Sequence, residues 1–250
     1  MFEREFSVPY YGLDEDGRIK PETLLQFLQE AAGLHANSAN IGVADLLQQD
    51  KMWVLRRYRV NIKSLSGQRG LIIRTWFEPQ RNLFSVRAFE ALTQSGDPVA
   101  DAWSAWIVVD LKRGRPIRLD RALPDTYFTM IEPTGEPVTE EIPPVTEGFD
   151  YENTFQVRRR ELDLNGHANH TVYFDWALES LPDEAIGGRS PIKLDAEFLA
   201  SVKKRERVTV RTKKTCDHPR SFTHEIAAEN GAPAARVATV FESSVLKSGK

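Results

Sequence analysis

The sequence predicts an α+β fold built as two tandem modules, each an antiparallel sheet wrapping a central helix. Three observations lead there. A short motif occurs twice: Tyr11-Gly-Leu-Asp-Glu-Asp-Gly-Arg-Ile-Lys-Pro21 aligns with Arg160-Glu-Leu-Asp-Leu-Asn-Gly-His-Ala-Asn-His170, setting Asp14 on Asp163, Asp16 on Asn165, Gly17 on Gly166 and Arg18 on His167. Each copy follows a strand-like run (2–8 and 155–159) and precedes an apolar-rich helical segment. Each helix is then followed by several strand-like runs, among which Leu71-Ile-Ile-Arg-Thr75 resembles Val208-Thr-Val-Arg-Thr212. Two copies of one unit is the simplest reading of such a repeat.

Taken in order, residues 21–35 form the first clear helix. Pro21 suits a first helical turn, and Glu22 complements the positive end of the helix dipole. Leu24, Leu25, Leu28, Ala31 and Ala32 recur at spacings of three and four, giving one broad apolar face, and Ala31-Ala32-Gly33 are small enough for a sheet to approach closely. Strands are expected over 52–62, 71–77, 84–93 and 99–109, separated by Gly67, Gly70, Asn82 and Gly96-Asp97-Pro98. A stretch rich in proline and acid, containing Pro116, Pro124, Pro133, Pro137 and Pro143-Pro144, reads as a crossover linker. In the second module Asn169 is placed to cap a helix over about 170–181, with Tyr173, Trp176 and Ala177 on one face. Strands over 192–202, 208–215, 222–229 and 235–246 close the chain. The expected organisation is therefore 1–111, a linker over 112–150, and 151–250. One strand, one buried helix and four further strands per copy is the hotdog arrangement, here doubled.

Composition bounds the function classes. A chain of 250 residues can bury a substantial core. Its formal net charge of −3 gives no general basic surface, so nucleic acid is not an expected partner. One cysteine allows neither an internal disulfide nor a cysteine-rich zinc site, which fits a reducing compartment. The start, Met1-Phe-Glu-Arg-Glu5, lacks the order of a signal peptide, and no apolar run reaches the roughly 18–20 residues of a membrane span. The expectation is a soluble, cytoplasmic protein with no cofactor and no metal.

Chemistry concentrates in Glu161-Leu-Asp-Leu-Asn-Gly-His-Ala-Asn169. An acid, Asp163, two carboxamides, Asn165 and Asn169, and the side chain that titrates nearest neutrality, His167, share one turn before a helix. Gly166 lets the backbone bend there, and a helix amino terminus presents unpaired N–H groups to the same place. The first copy carries Arg18 where the second has His167, which assigns the chemistry to the second module.

On these residues the chain resembles the acyl-acyl-carrier-protein (acyl-ACP) thioesterases of plants and bacteria, a double-hotdog family. The likeness covers nearly the whole length, through Leu28-Gln-Glu-Ala-Ala32, Met52-Trp-Val-Leu-Arg-Arg57 and Trp176-Ala-Leu-Glu-Ser180. Its most specific part is the pattern Asp-x-Asn-x-His-x-Asn-x-x-x-Tyr, met by Asp163, Asn165, His167, Asn169 and Tyr173. The resemblance implies hydrolysis of a fatty acyl thioester on acyl carrier protein, releasing free fatty acid and ending chain elongation. One departure stands out. Family members carry Tyr-x-x-Glu on the strand after the site helix, with catalytic work assigned to that Glu and sometimes to a following Cys. Here the segment is Phe198-Leu-Ala-Ser201, with Ser201 in the acid's place and Val202 in the cysteine's. On a continuous strand Glu197 shares a face with Ser201 but lies roughly 13 Å away, too far to substitute.

Thioester hydrolysis needs an activated water and donors for the developing oxyanion. His167 is the natural general base, Asp163 a partner for one imidazole nitrogen, Asn165 a holder of water or carbonyl, and Asn169 with the helix N–H groups an oxyanion site. Against this stands the plainer reading of Asp163-x-Asn165-Gly166 as a turn, which Asp14 and Asp16-Gly17 build without a histidine. Cys216 sits in a polar hairpin tip with no oriented base, and His35, His218 and His224 show no metal-ligand spacing and read as surface or core-edge residues. Trp103 and Trp106 read as core. The basic runs Arg56-Arg57-Tyr58-Arg59, Arg158-Arg159-Arg160 and Lys203-Lys204-Arg205 are solvated faces by default, and some are candidates for docking an acidic carrier protein. An acyl-coenzyme A thioesterase or hydratase and a noncatalytic acyl-binding protein are the competing classes. Hotdog modules often pair; two within one chain leave monomer and homodimer both open.

Overall fold

The computed structural model describes residues 1–67, 69–79, 83–129, 140–215 and 220–243. The chain divides into two compact units, Met1–Thr139 and Glu140–Lys250. Unit 1 comprises β1 (Phe2–Ser7), α1 (Pro21–Ser38), α2 (Val43–Leu47), β2 (Lys51–Ile62), β3 (Gly70–Pro79), β4 (Ser85–Thr93), β5 (Pro98–Asp110), β6 (Arg115–Ile117), α3 (Leu119–Ala122) and α4 (Asp125–Thr129). Its strands pair antiparallel in the order β1-β3-β4-β5-β2, with β6 also on β5. Unit 2 comprises β7 (Tyr151–Gln156), α5 (His170–Glu179), α6 (Asp183–Ile186), β8 (Pro191–Phe198), β9 (Arg207–Lys214), β10 (Ser221–Ala228) and β11 (Pro233–Phe241). These strands pair antiparallel as β7-β9-β10-β11-β8, the same order element for element. The internal repeat is a repeat of topology.

Helix α1 begins with Pro21 in its first turn and buries Leu24, Leu25, Leu28 and Ala31 against β1 and β3. Burial of each large apolar side chain contributes about 1.5–3 kcal/mol, which offsets the ordering entropy of the helix. Only Ala31 of the small trio faces inward; Gly33 is exposed. Residues 115–129, assigned to the linker by composition, instead form β6, α3 and α4 and place Leu119, Ala122, Leu123 and Tyr127 in a core cluster of unit 1 with Phe77 and Val108. The prolines misled there because they punctuate short elements that still bury apolar side chains. The centre of the expected linker, 130–139, lies outside the described residues.

In unit 2, α5 packs Val172, Tyr173, Phe174, Trp176 and Ala177 inward, against a sheet whose nearest strands are β9, β10 and β11. The helix is held at its carboxyl end by a polar lock. His224, with no solvent exposure, has Thr212 Oγ1 2.8 Å from Nδ1 and Thr239 Oγ1 3.0 Å from Nε2. Ser180, at the end of α5, reaches Thr212 Oγ1 at 2.9 Å, and Asn153 Nδ2 donates to Ser180 O at 3.0 Å. His224 is thus a core residue rather than the surface or core-edge one expected, because both its nitrogens find hydroxyl partners.

Burial lowers the His224 pKa from 6.5 to about 3, so the folded chain holds it neutral. A histidine with a depressed folded pKa takes up its proton preferentially when unfolded, so stability falls as pH drops from about 6.5 towards 3. The expected contribution is about 1.4 kcal/mol per pH unit across that window. His224→Gln should flatten the denaturant-midpoint profile between pH 6 and 4 by about one proton; an unchanged slope would count against it.

Candidate active site

The motif turn follows from Asp163. Its backbone N–H donates to His167 O at 2.8 Å, while its Oδ1 accepts from the N–H of Asn165 at 2.8 Å and of His167 at 3.2 Å. Gly166 N–H closes the turn onto Asp163 O at 3.1 Å, with Gly166 at φ +75°. A Cβ at Gly166 would meet no atom within 4 Å, so Gly166→Ala tests the backbone alone. It should cost about 1–2 kcal/mol of stability, read by chemical denaturation, and lower turnover by tilting His167.

The turn in unit 1 is built the same way. Asp14 Oδ1 accepts from Asp16 N–H at 3.0 Å and Arg18 N–H at 2.8 Å, and Gly17 also has φ +75°. The side chains then diverge. Arg18 Nε lies 2.9 Å from Asp14 Oδ2 and its Nη2 2.7 Å from Asp16 Oδ2, so the first turn neutralises itself. In the second, Asn165 is exposed, and among the described residues Asp163 Oδ2 accepts no hydrogen bond and the half-buried His167 ring has no partner. Asp163 therefore acts on His167 through the backbone, and no bond to the imidazole is formed.

Asn169 is the N-cap of α5, its Oδ1 accepting from Thr171 N–H and Thr171 Oγ1–H, each at 3.1 Å. Those two bonds fix the amide so that Nδ2 is its outward donor. Val172 N–H also bonds Asn169 O, at 3.0 Å. Two N–H groups of the first turn are thereby consumed by the cap and are not free to meet an incoming oxygen.

Strand β8 ends at Phe198, where Leu199 and Ala200 N–H both bond Ala234 O, at 2.8 and 3.0 Å. The ladder breaks there, so Ser201 lies in an exposed loop and the continuous-strand parity between Glu197 and Ser201 does not exist. Tyr173, from α5, donates its hydroxyl to Ala200 O at 3.5 Å and anchors this loop. Ala168 N–H bonds Val202 O at 2.8 Å, and His167 bridges Lys203. The chain then turns over Lys203–Glu206, with Glu206 Oε2 accepting from Lys203 N–H at 3.1 Å. Burial pushes the Tyr173 hydroxyl up to about 12; the Val202 backbone opposes this, and the Asp163 and Glu206 carboxylates add to it. Glu206 thus comes close enough to Tyr173 for its charge to act there, and strand parity hides it because a tight turn folds the chain back.

The same two turns gather cations. Arg158, Arg159, Arg160, Lys203, Lys204 and Arg205 are all exposed, and Val157 joins their segments by backbone bonds with Arg205 and Glu206. The third basic run differs: a bulge between Leu55 and Arg57 buries Arg57 and Tyr58. His170, the first residue of α5, turns its ring edge to Phe198, and burial holds it neutral with a pKa of about 4. His35 is also buried. Trp103 and Trp106 are half-buried on β5. Cys216 and His218 lie outside the described residues. Among the described residues no group of three or more His, Cys, Asp or Glu converges as a metal set, and no helix is long and apolar enough to cross a membrane.

A tandem hotdog chain with one histidine turn at a helix amino terminus defines the class: a double-hotdog α+β protein. Residues 1–127 match the acyl-ACP thioesterase N-terminal domain and residues 146–243 the acyl-ACP thioesterase C-terminal domain. The chain belongs to the acyl-ACP thioesterase family. It is 22% identical over 248 residues to oleoyl-acyl carrier protein thioesterase 2, chloroplastic, of Arabidopsis thaliana, covering 92% of this chain and 67% of that protein. An acyl-[acyl-carrier-protein] hydrolase of Cuphea viscosissima is 23% identical over 215 residues, 79% of this chain and 51% of the relative. The chain thus spans about half to two thirds of the length of these curated relatives. The structure of an acyl-ACP thioesterase from Bacteroides thetaiotaomicron superposes with a TM-score of 0.81 at 21% identity, covering 96% of this chain and 97% of that one, which shows the shared fold.

Proposed function

We propose that the chain hydrolyses the thioester of fatty acyl-ACP, with His167 as general base. The observation that carries this is the contrast between two turns of equal geometry: the first spends its charged side chains on itself, whereas the second leaves His167 and Asn169 Nδ2 uncommitted. His167 takes a proton from water as the oxygen attacks the thioester carbon. The carbonyl oxygen gains the charge and is met by Asn169 Nδ2. Collapse breaks the C–S bond, and the imidazolium returns its proton to the leaving thiolate. Asp163 fixes the turn by accepting from the backbone N–H groups of Asn165 and His167. Asn165, exposed in the same turn, positions the water.

The six exposed cations around this turn suit an acidic carrier protein delivering a phosphopantetheine arm. A cytoplasmic setting belongs to the same proposal, on the strength of the single cysteine. Free-thiol release from matched acyl-ACP and acyl-coenzyme A substrates tests the reading. Faster release from acyl-ACP is expected. Charge reversal at Arg159 and Lys204 should raise KM for the carrier-linked substrate several-fold, with kcat and the coenzyme A reaction little changed. Thiol release from neither substrate would make the chain an acyl-binding protein.

A further inference from the structure

Unit 1 encloses a cation that no acid among the described residues neutralises. Arg87, on β4, is 4% exposed. Its Nη1 donates to Thr75 Oγ1 and to His35 Nδ1, each at 3.1 Å, and its guanidinium lies 4.0 Å from the centre of the Phe77 ring. Among the described residues no carboxylate pairs with it, and its Nε–H and Nη2–H make no hydrogen bond. His35 does not share the charge. Burial, then the Arg87 charge, lowers its pKa to about 4, leaving Nδ1 as an acceptor. A buried charge without a counter-ion is costly, and an apolar side chain of similar volume serves packing as well or better. Unit 2 shows that the fold does not require it: there the buried polar cluster around His224 closes on neutral hydroxyls.

The unpaired groups have a definite geometry. Nε–H and Nη2–H are the side-on fork of a guanidinium, two parallel donors matched to the two oxygens of a carboxylate. The surroundings are aromatic: Phe2 stacks on His35 at 5.5 Å, Phe77 lies 4.7 Å from it, and Phe77 meets Tyr127 edge-on at 5.0 Å. An anion entering such a place must bring an apolar body. We propose that Arg87 holds the carboxylate of a fatty chain within unit 1, with His35 and Thr75 fixing the guanidinium. The carboxylate comes either from a free fatty acid or from the far end of an acyl chain that carries a second one. This site stands apart from the hydrolytic reading, and binding is measured without turnover, so the two fail separately.

The test is calorimetric titration of the full chain with two matched pairs. Decanoate against decan-1-ol probes the free acid; an S-alkyl pantetheine ending in a carboxylate, against its methyl ester, probes the chain end. The carboxylate of at least one pair should bind more tightly, and the pair that discriminates identifies the source. Arg87→Met should erase that preference, about tenfold to a hundredfold, with neutral ligands unaffected and the melting temperature unchanged or raised. If Arg87→Met does not fold, Arg87→Lys replaces it, keeping the charge without the fork, and a reduced preference is again expected. Absence of any carboxylate preference in the wild-type chain, or its survival in the folded variant, overturns the proposal.

Discussion

Replacing His167 with alanine is expected to lower the rate of thiol release from acyl-ACP by about 10²- to 10⁴-fold, the usual weight of a general base. KM and the melting temperature should hardly move. The ring is half-buried and makes no hydrogen bond among the described residues, so its loss removes no packing anchor. The turn is secured by the backbone N–H of residue 167, which alanine retains. Single-turnover thiol release measured beside a thermal melt separates chemistry from folding. A folded His167→Ala chain that keeps a tenth or more of the wild-type rate would remove the imidazole from the mechanism.

Asn169→Asp should be nearly as damaging, about 10²- to 10³-fold in kcat, for a different reason. Aspartate ranks with asparagine as an N-cap, so the bonds to Thr171 N–H and Oγ1–H survive and stability is preserved. What disappears is Nδ2, replaced by an oxygen that repels the developing oxyanion. Asn169→Ala loses cap and donor together and should also cost about 1 kcal/mol on denaturant unfolding. If the aspartate variant turns over at the wild-type rate while the alanine variant fails, Asn169 is a cap and nothing more.

The doubled motif was legible in the sequence because its requirements are local. Asp14 and Asp163 accept from N–H groups two and four residues on, and Gly17 and Gly166 meet a positive φ, so a short stretch carries all the information. The apolar face of α1 was readable for a similar reason, since helical period converts directly into burial. Strand parity served less well. It holds only while the ladder continues, and β8 ends at Phe198, so the parity that relates Glu197 to Ser201 does not apply, while a tight turn brings the charge of Glu206 to bear on Tyr173. Proline content likewise described a linker where short elements build core around Leu119 and Tyr127.

By itself the sequence determined the two-module architecture, the family, and the identity of the turn that carries His167, all encoded in contacts a few residues apart or in simple periods. Tertiary structure decided which polar groups remain uncommitted. Arg18 folds onto its own carboxylates, Thr171 occupies the cap oxygen of Asn169, hydroxyls from two strands and a helix end enclose His224, and Arg87 is buried with no acid paired to it among the described residues. Whether a side chain is spent or available depends on partners brought together from distant parts of the chain, and on the solvent they exclude.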